Sequence, residues 1–251
     1  MSEVPATVWF EEWFDSPYYH QLYNHRDDNE ARYFIGNLVS RFKPQQGAAI
    51  LDVACGRGRH ALFLGQLGFK VTGIDLAASS IDYALKRKSE NVDFYVHDMR
   101  KIYCTNCFDW VVNLFTSFGY FEHRYDNINA LKAMAFALKP GGMLILDYLN
   151  AGIIGNGNNT SDTIISGDVK FTVTRSIDDD WVIKHIRIND GNREMNFHEK
   201  VRLLSLNDFE EMFAQVGLSI QHVFGDYDLS PFNPKVSKRL IINAVKQNVV
   251  G

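Results

Sequence analysis

The chain is short of several things. It has three cysteines in 251 residues, too few for a disulfide framework, and a reducing compartment is the simpler expectation. It has no run of about eighteen apolar residues, which argues against a helical membrane span. Its first residues, Met1-Ser2-Glu3-Val4-Pro5, lack the charged-then-apolar order of a secretory signal. It has no excess of one charge either, with 26 basic against 30 acidic residues and a net of −4. That balance does not favour a nucleic-acid partner held by electrostatics. No internal repeat or low-complexity tract interrupts it. These absences leave a cytoplasmic protein with no membrane partner. What is present is core: 46% of the residues are hydrophobic, enough for one large α/β domain with an elaboration.

One stretch organises the rest, Ile50-Leu51-Asp52-Val53-Ala54-Cys55-Gly56-Arg57-Gly58-Arg59-His60. It predicts a buried strand at 48–53, a tight turn of small residues, and a helix at 59–67. Glycine in such a turn tolerates positive φ and lets backbone approach a ligand with no Cβ in the way. The helix start offers free N–H groups. A second strand at 69–74 ends at Asp75, whose carboxylate can accept both hydroxyls of a ribose. A third closes on Asp98-Met99. Taken alone, Gly56-x-Gly58-x-x-Ala61 with Asp75 also matches a nicotinamide dinucleotide fingerprint.

Asp52, four residues before the first glycine, and Asp98 turn the balance. Asp52 to Gly58 resembles the acidic-x-x-small/Cys-Gly-x-Gly pattern of class I S-adenosylmethionine-dependent methyltransferases. Asp75 matches that family's ribose-binding acid, Asp98-Met99 its adenine-contacting pair, and Lys139-Pro140-Gly141-Gly142 a further landmark before a hydrophobic strand. The resemblance covers 48–148 well and the remainder loosely. It implies S-adenosyl-L-methionine as cofactor, with Ala54, Gly56 and Gly58 bringing backbone close to the methionine end and Leu76 on the adenine face. It also places Asn113, Leu114 and Phe115 near the sulfonium. The segment before the first strand either packs on the sheet edge as an amphipathic helix or, as the resemblance implies, folds over the methionine end, with Tyr19 and Arg26 capping the pocket and Arg26 pairing with the methionine carboxylate.

Strands are predicted at 48–53, 69–74, 92–96, 108–113 and 143–148, with helices at 59–67, 78–88 and 125–138. Apolar runs such as Trp110-Val111-Val112 suit a parallel sheet covered on both faces. Before them, an aromatic-rich segment at 9–23 leads into a helix with Asp27 as N-cap and Glu30 three residues on. After them, 150–162 is a flexible connection, and alternation through 169–204 with turn signals at 178–180 and 189–192 predicts an antiparallel meander. Ser205 to Val216 is a helix ended by Gly217, and 218–224 and 240–245 are the last strands. The fold expected is α/β: a doubly wound, mostly parallel, seven-stranded Rossmann-like sheet with an antiparallel β insertion. A single domain then comprises a helical cap (1–47), a cofactor-binding core (48–150), the insertion (151–204) and a C-terminal helix and strands completing the sheet (205–251). The insertion suits a wall or lid over the substrate, or a homo-oligomer interface.

Methyl transfer from a sulfonium is an in-line displacement that needs alignment and exclusion of water, and a base only for a protonated nucleophile. No catalytic residue is therefore assigned. His60, His97, Tyr148 and His198 are candidate bases or orienting groups, and Phe115, Phe118, Tyr120, Phe121 and Tyr148 an aromatic acceptor wall, with Phe118, Tyr120, Tyr148 and His198 as substrate contacts. Asn113-Leu114-Phe115-Thr116 is not the Asn/Asp-Pro-Pro-aromatic motif of amino-methylating DNA enzymes. Cys104-x-x-Cys107 has metal or redox spacing but no second pair, so no metal is expected. Lys86-Arg87-Lys88 is a solvated helix face. The leading expectation is a small-molecule methyl acceptor. The alternatives are a tRNA or protein methyltransferase, an NAD(P)-binding oxidoreductase, and a non-catalytic binding protein.

Overall fold

The computed structural model describes residues 9–23, 28–154 and 160–247. Arg26 and the expected Asp27 cap lie outside them. In chain order the first elements are α1 (Trp9–Phe14), α2 (Pro17–Leu22), α3 (Asp28–Phe42), β1 (Ala49–Val53), α4 (Arg59–Gln66), β2 (Lys70–Asp75), α5 (Ala78–Leu85), β3 (Val92–Val96) and β4 (Phe108–Asn113). There follow α6 (Arg124–Ala137), β5 (Leu138–Leu149), α7 (Ala151–Ile154), β6 (Thr160–Ser166), β7 (Val169–Asp178), β8 (Trp181–Asn189), β9 (Glu194–Arg202), α8 (Leu206–Gln215), β10 (Leu218–Phe224) and β11 (Arg239–Lys246).

Seven strands form one sheet in the order β10-β11-β5-β4-β1-β2-β3. Only β11 runs against its neighbours, pairing antiparallel with both β10 and β5. The fold is thus the doubly wound, mostly parallel Rossmann-like sheet. Side-chain alternation explains its two covered faces: Ile50, Val71, Trp110 and Val112 face α3, α4 and α5, while Leu51, Val53, Val111 and Leu144 face α6 and α8. Right-handed crossovers put the C-terminal ends of β1, β2, β3 and β4 on one edge. The fifth strand is longer than expected. It starts at Leu138, so the Lys139-Pro140-Gly141-Gly142 landmark lies within extended chain rather than ahead of it. α8 begins with a capping box, Ser205 and Asp208 each serving the other's backbone.

The meander is four antiparallel strands, β6-β7-β8-β9. Its first strand takes up Thr160 to Asp162, expected as connection. One face of this second sheet is apolar, with Phe171, Ile186 and Ile188 buried against Trp13 and Leu22 of α1 and α2. Polar ties reinforce the contact: Tyr18 Oη donates to Asp190 at 2.8 Å, and Trp13 Nε1 donates to Glu199 at 2.9 Å. Trp13 is fully buried, so Trp13→Ala is expected to cost about 3–5 kcal/mol. Urea unfolding measures it, and a loss below about 1 kcal/mol would show that the cap contributes little to the folded core.

Three cysteines make no framework here, but the pair with metal or redox spacing stands together. Cys104 and Cys107 are joined as a disulfide, their Cα atoms 6.3 Å apart, within the range such a bridge spans; Cys55 is buried and free. Among the described residues no group of three or more His, Cys, Asp or Glu is placed to hold a metal ion. None of the described helices is long and apolar enough to cross a membrane.

Candidate functional site

A cavity of about 950 Å³ opens at the C-terminal edge of the parallel strands. Its floor is the turn after β1. Ala54 and Gly56 have φ of +57° and +55°, and Gly56 N–H donates to Asp75 Oδ2 at 2.8 Å. Asp75 Oδ1 accepts from Ala77 N–H at 2.8 Å. The carboxylate at the end of β2 thereby pins the β1 turn and the start of α5 together. No atom lies within 4 Å of where a Cβ on Gly56 would stand, so the wall recedes there. Gly58 does different work. It does not line the cavity, and a Cβ on it would meet the Phe94 ring at 2.5 Å; glycine is favoured there both by a φ of +78° and by the tight packing of α4 on β3.

Asp52 is buried at the cavity wall. The Ala61 N–H serves its carboxylate, but Oδ2 has no partner. Burial, helped by the neighbouring Asp75 charge, pushes its pKa up from 3.8 to about 7. Because the folded-state value is the raised one, Asp52 stabilises the fold most when protonated. That contribution is complete below about pH 4 and is lost as pH rises through about 7. Asp52→Asn, which cannot ionise, is expected to raise the melting temperature of the ligand-free protein at pH 8 and to leave it nearly unchanged at pH 4. Equal shifts at the two pH values would contradict this account.

At the far side of the floor, Asp98 is forked by Arg100, with Nη2 at 2.7 Å and Nε at 3.0 Å. Burial alone would raise the Asp98 pKa, but these bonds and the Arg100 charge outweigh it and hold the group below its ordinary value. Met99, Leu76 and Leu114 line the wall nearby. After β4 the backbone turns through two successive non-glycine residues at positive φ, Phe115 (+64°) and Thr116 (+59°). Asp147 on β5 holds that turn: its Oδ2 accepts from Phe115 N–H at 2.8 Å, its backbone carbonyl accepts from Thr116 N–H, and its Oδ1 accepts from Arg239 Nε at 2.7 Å. Arg239 also donates to Thr116 Oγ1 at 2.8 Å.

The roof is the cap, and one wall is the second sheet. Phe10 and Phe14 of α1 pack directly on Phe121 and Tyr120, with ring centroids 5.8 and 5.2 Å apart, and Tyr19 of α2 packs on Phe14 at 5.0 Å. The cap is tied on both sides, by Trp13 to Glu199 and by Ser79 N–H to Asp15 at 3.0 Å.

The structure brings Tyr19, Asp52, Ala54, Gly56, Asp75, Leu76, Asp98, Met99, Leu114, Phe115 and Tyr120 to this cavity. Five expected residues stand elsewhere. Gly58 is the packing glycine described above. Asn113 is buried behind the wall, its amide donating to Val53 O at 3.0 Å. Phe118 and Tyr148 pack with Phe209 in the core, Tyr148 Oη donating to Arg202 O at 2.6 Å. His198 is exposed against Trp9. Burial raises the Tyr148 phenol pKa far above its usual value, so it is no base. His60 does line the cavity, its Nε2 without a partner, but burial and Arg59 push its pKa down to about 3. A group that weak accepts protons poorly near neutrality. His97 lines the cavity with its Nε2 on Lys101 O at 3.0 Å. Sequence reasoning missed Arg57, which the β1 turn itself carries to the site, and His20, Lys184, Glu199 and Arg239, which reach it only through long-range packing.

Residues 50–142 match the family model for a methyltransferase domain. The cypemycin N-terminal methyltransferase of a Streptomyces species is 24% identical over 210 residues, 81% of this chain and 86% of that protein. The dTDP-3-amino-3,6-dideoxy-alpha-D-glucopyranose N,N-dimethyltransferase of Streptomyces fradiae is 26% identical over 207 residues, 76% of this chain and 77% of that protein. The crystal structure of an S-adenosylmethionine-dependent methyltransferase from Clostridium acetobutylicum superposes with a TM-score of 0.78 at 20% identity, over 92% of this chain and 97% of that one.

This chain carries a methyltransferase domain of the S-adenosylmethionine-dependent kind. Its matched segment spans β1 to the middle of β5, the part of the sheet whose strand ends carry Asp52, Asp75 and Asp98. For such a methyltransferase the cofactor is S-adenosyl-L-methionine. Two observations suit the cavity to it: a buried carboxylate oxygen on Asp52 that lacks a donor, and the open space over Gly56.

Proposed function

We propose that this methyltransferase transfers a methyl group to a small molecule bearing an amine, and that the cavity floor holds the cofactor. The observation that carries this reading is the shared cavity. The strand-end carboxylates and the aromatic cap face one space of about 950 Å³, at the upper end of what small-molecule sites enclose and so roomy enough for cofactor and acceptor together. When bound, S-adenosylmethionine supplies an electrophilic methyl on a sulfonium. In this reading Asp75 accepts from the ribose hydroxyls, Asp98 and Met99 contact the adenine, and Asp52 accepts from the methionine ammonium. Tyr19 and Phe115 border the methyl-bearing end, and the rings of Phe10, Phe14 and Tyr120 exclude water and orient the acceptor.

An amine acceptor suits a wall built from aromatic rings such as Phe10, Phe14 and Tyr120. A neutral amine carries its own lone pair, so the wall needs only to position it, whereas a hydroxyl calls for proton removal. The names of the two relatives point the same way, one being an N-terminal and one an N,N-dimethyl transferase. The test is a transfer assay with labelled S-adenosylmethionine against amino sugars and other small amines, bulk tRNA and unfolded protein. Label is expected in the small amines alone. Transfer confined to tRNA or protein would overturn the acceptor reading.

A further inference from the structure

The second sheet presents one face to the cap and cavity, and alternation fixes which residues stand on it. Rows across β7, β8 and β9 are set by register: Val173 opposes Ile186 and Ile186 opposes Phe197, whereas in the next row on that face Arg175 opposes Lys184 and Lys184 opposes Glu199. The row beyond is again apolar, with Ile177, Val182 and Val201. A single charged row thus interrupts an otherwise apolar face, and all three of its members line the cavity.

The charges in that row do not balance. Glu199 is buried and accepts from Lys184 Nζ at 2.8 Å, Tyr23 Oη at 2.7 Å and Trp13 Nε1 at 2.9 Å. Burial alone would raise its pKa, but the Lys184 charge and these three bonds prevail and keep it below the ordinary value. One carboxylate is therefore fully used by one ammonium. Arg175 is left over. Its side chain makes no ion pair or hydrogen bond among the described residues, and the carboxylate on the same face of the neighbouring strand, Asp162, stands opposite Val173 instead. Like charges directly opposite each other destabilise a sheet. Arg175, exposed at the cavity edge, thus places an unpaired positive charge beside the Lys184–Glu199 pair.

We propose that Arg175 and Lys184 form an anion subsite that binds a carboxylate or phosphate group of the methyl acceptor. The guanidinium fork takes two oxygens of such a group, and Lys184, held upright by Glu199 and Tyr23, adds a point charge. The row lies on the insertion, outside the matched segment at 50–142, so it sets which acceptor this chain takes rather than how the methyl is delivered. The proposal rests on the reading of this cavity as a cofactor and acceptor site.

The experiment titrates S-adenosylhomocysteine-saturated protein with inorganic phosphate, with acetate and with neutral acetamide. The Trp13 indole N–H resonance, one bond away from Glu199, is the reporter. At least one anion is expected to shift it saturably and acetamide is not; the stronger of the two anions identifies the group. Arg175→Gln should weaken the anion about tenfold, the worth of one charge-assisted hydrogen bond. Arg187→Gln, a change at an exposed guanidinium on the opposite face paired with Glu194, should leave it unchanged. Glu199→Gln removes the neutralising charge and should tighten it, which decides the matter even where Arg175→Gln fails to fold. Absence of saturable binding by either anion, equal affinity in Arg175→Gln and wild type, or no tightening in Glu199→Gln overturns the subsite. If wild-type protein takes up no S-adenosylhomocysteine, it is the cofactor reading that falls instead.

Discussion

Gly56→Val is expected to weaken S-adenosylhomocysteine binding by about 100-fold or more, some 3 kcal/mol. Two effects act together. At φ +55° a β-branched side chain strains the turn by about 1–2 kcal/mol. The side chain also enters the space that now stands empty above the turn. Because nothing in the protein occupies that space, the bulk harms the ligand more than the fold. Calorimetric titration should therefore lose its signal while the thermal midpoint falls by only a few degrees, as about 1–2 kcal/mol implies for a chain of this length. Gly58→Ala should invert the pattern. A Cβ there meets Phe94 and Ala84 rather than the cavity, so stability suffers first. Wild-type affinity in Gly56→Val would remove the β1 turn from the cofactor site.

The second large effect is on stability. Asp147→Ala should destabilise the protein by about 3–5 kcal/mol, because it strands a charge out of water. The Asp147 side chain is fully buried and that of Arg239 is 17% exposed, and they lie 2.7 Å apart. The Asp147 carboxylate also holds Phe115 N–H in a turn where both Phe115 and Thr116 are in the left-handed region. Loss of that acceptor releases a strained turn at the cavity wall. The double variant Asp147→Ala, Arg239→Met removes both charges and should recover more than half of the loss in urea unfolding. Single and double variants equally unstable would mean that the turn, not the ion pair, dominates.

These two expectations also show how far a linear sequence can be read. β1, β2, β3 and β4 were legible because each is a short apolar run closed by a small or acidic residue, and such closure points to one sheet edge. The Gly56 turn was legible for the same local reason. For Gly58 the positive φ of the turn was legible in the same way, but its packing role was not, because the Phe94 ring that a Cβ would meet lies 36 positions along the chain. Phe118 and Tyr148 look like any other aromatics near a strand end; only the arrival of α8, with Phe209, turns them inward. Asp147 is a lone acid inside an apolar strand, a signal of a buried partner, but nothing local names Arg239. Lys184 and Glu199 were hidden in an alternating pattern whose apolar face was clear and whose register was not. The Cys104 and Cys107 pairing was open to the same limit, since spacing alone does not separate a bridge from two thiols.

The central claim is that strand-end carboxylates from β1, β2 and β3 grip one adenosyl ligand. A crystal structure with S-adenosylhomocysteine tests it most directly. The account predicts the ribose hydroxyls on Asp75, the adenine beside Asp98 and Met99, and the amino group against Asp52 Oδ2. Density for the ligand away from these three acids, or on only one of them, would contradict it.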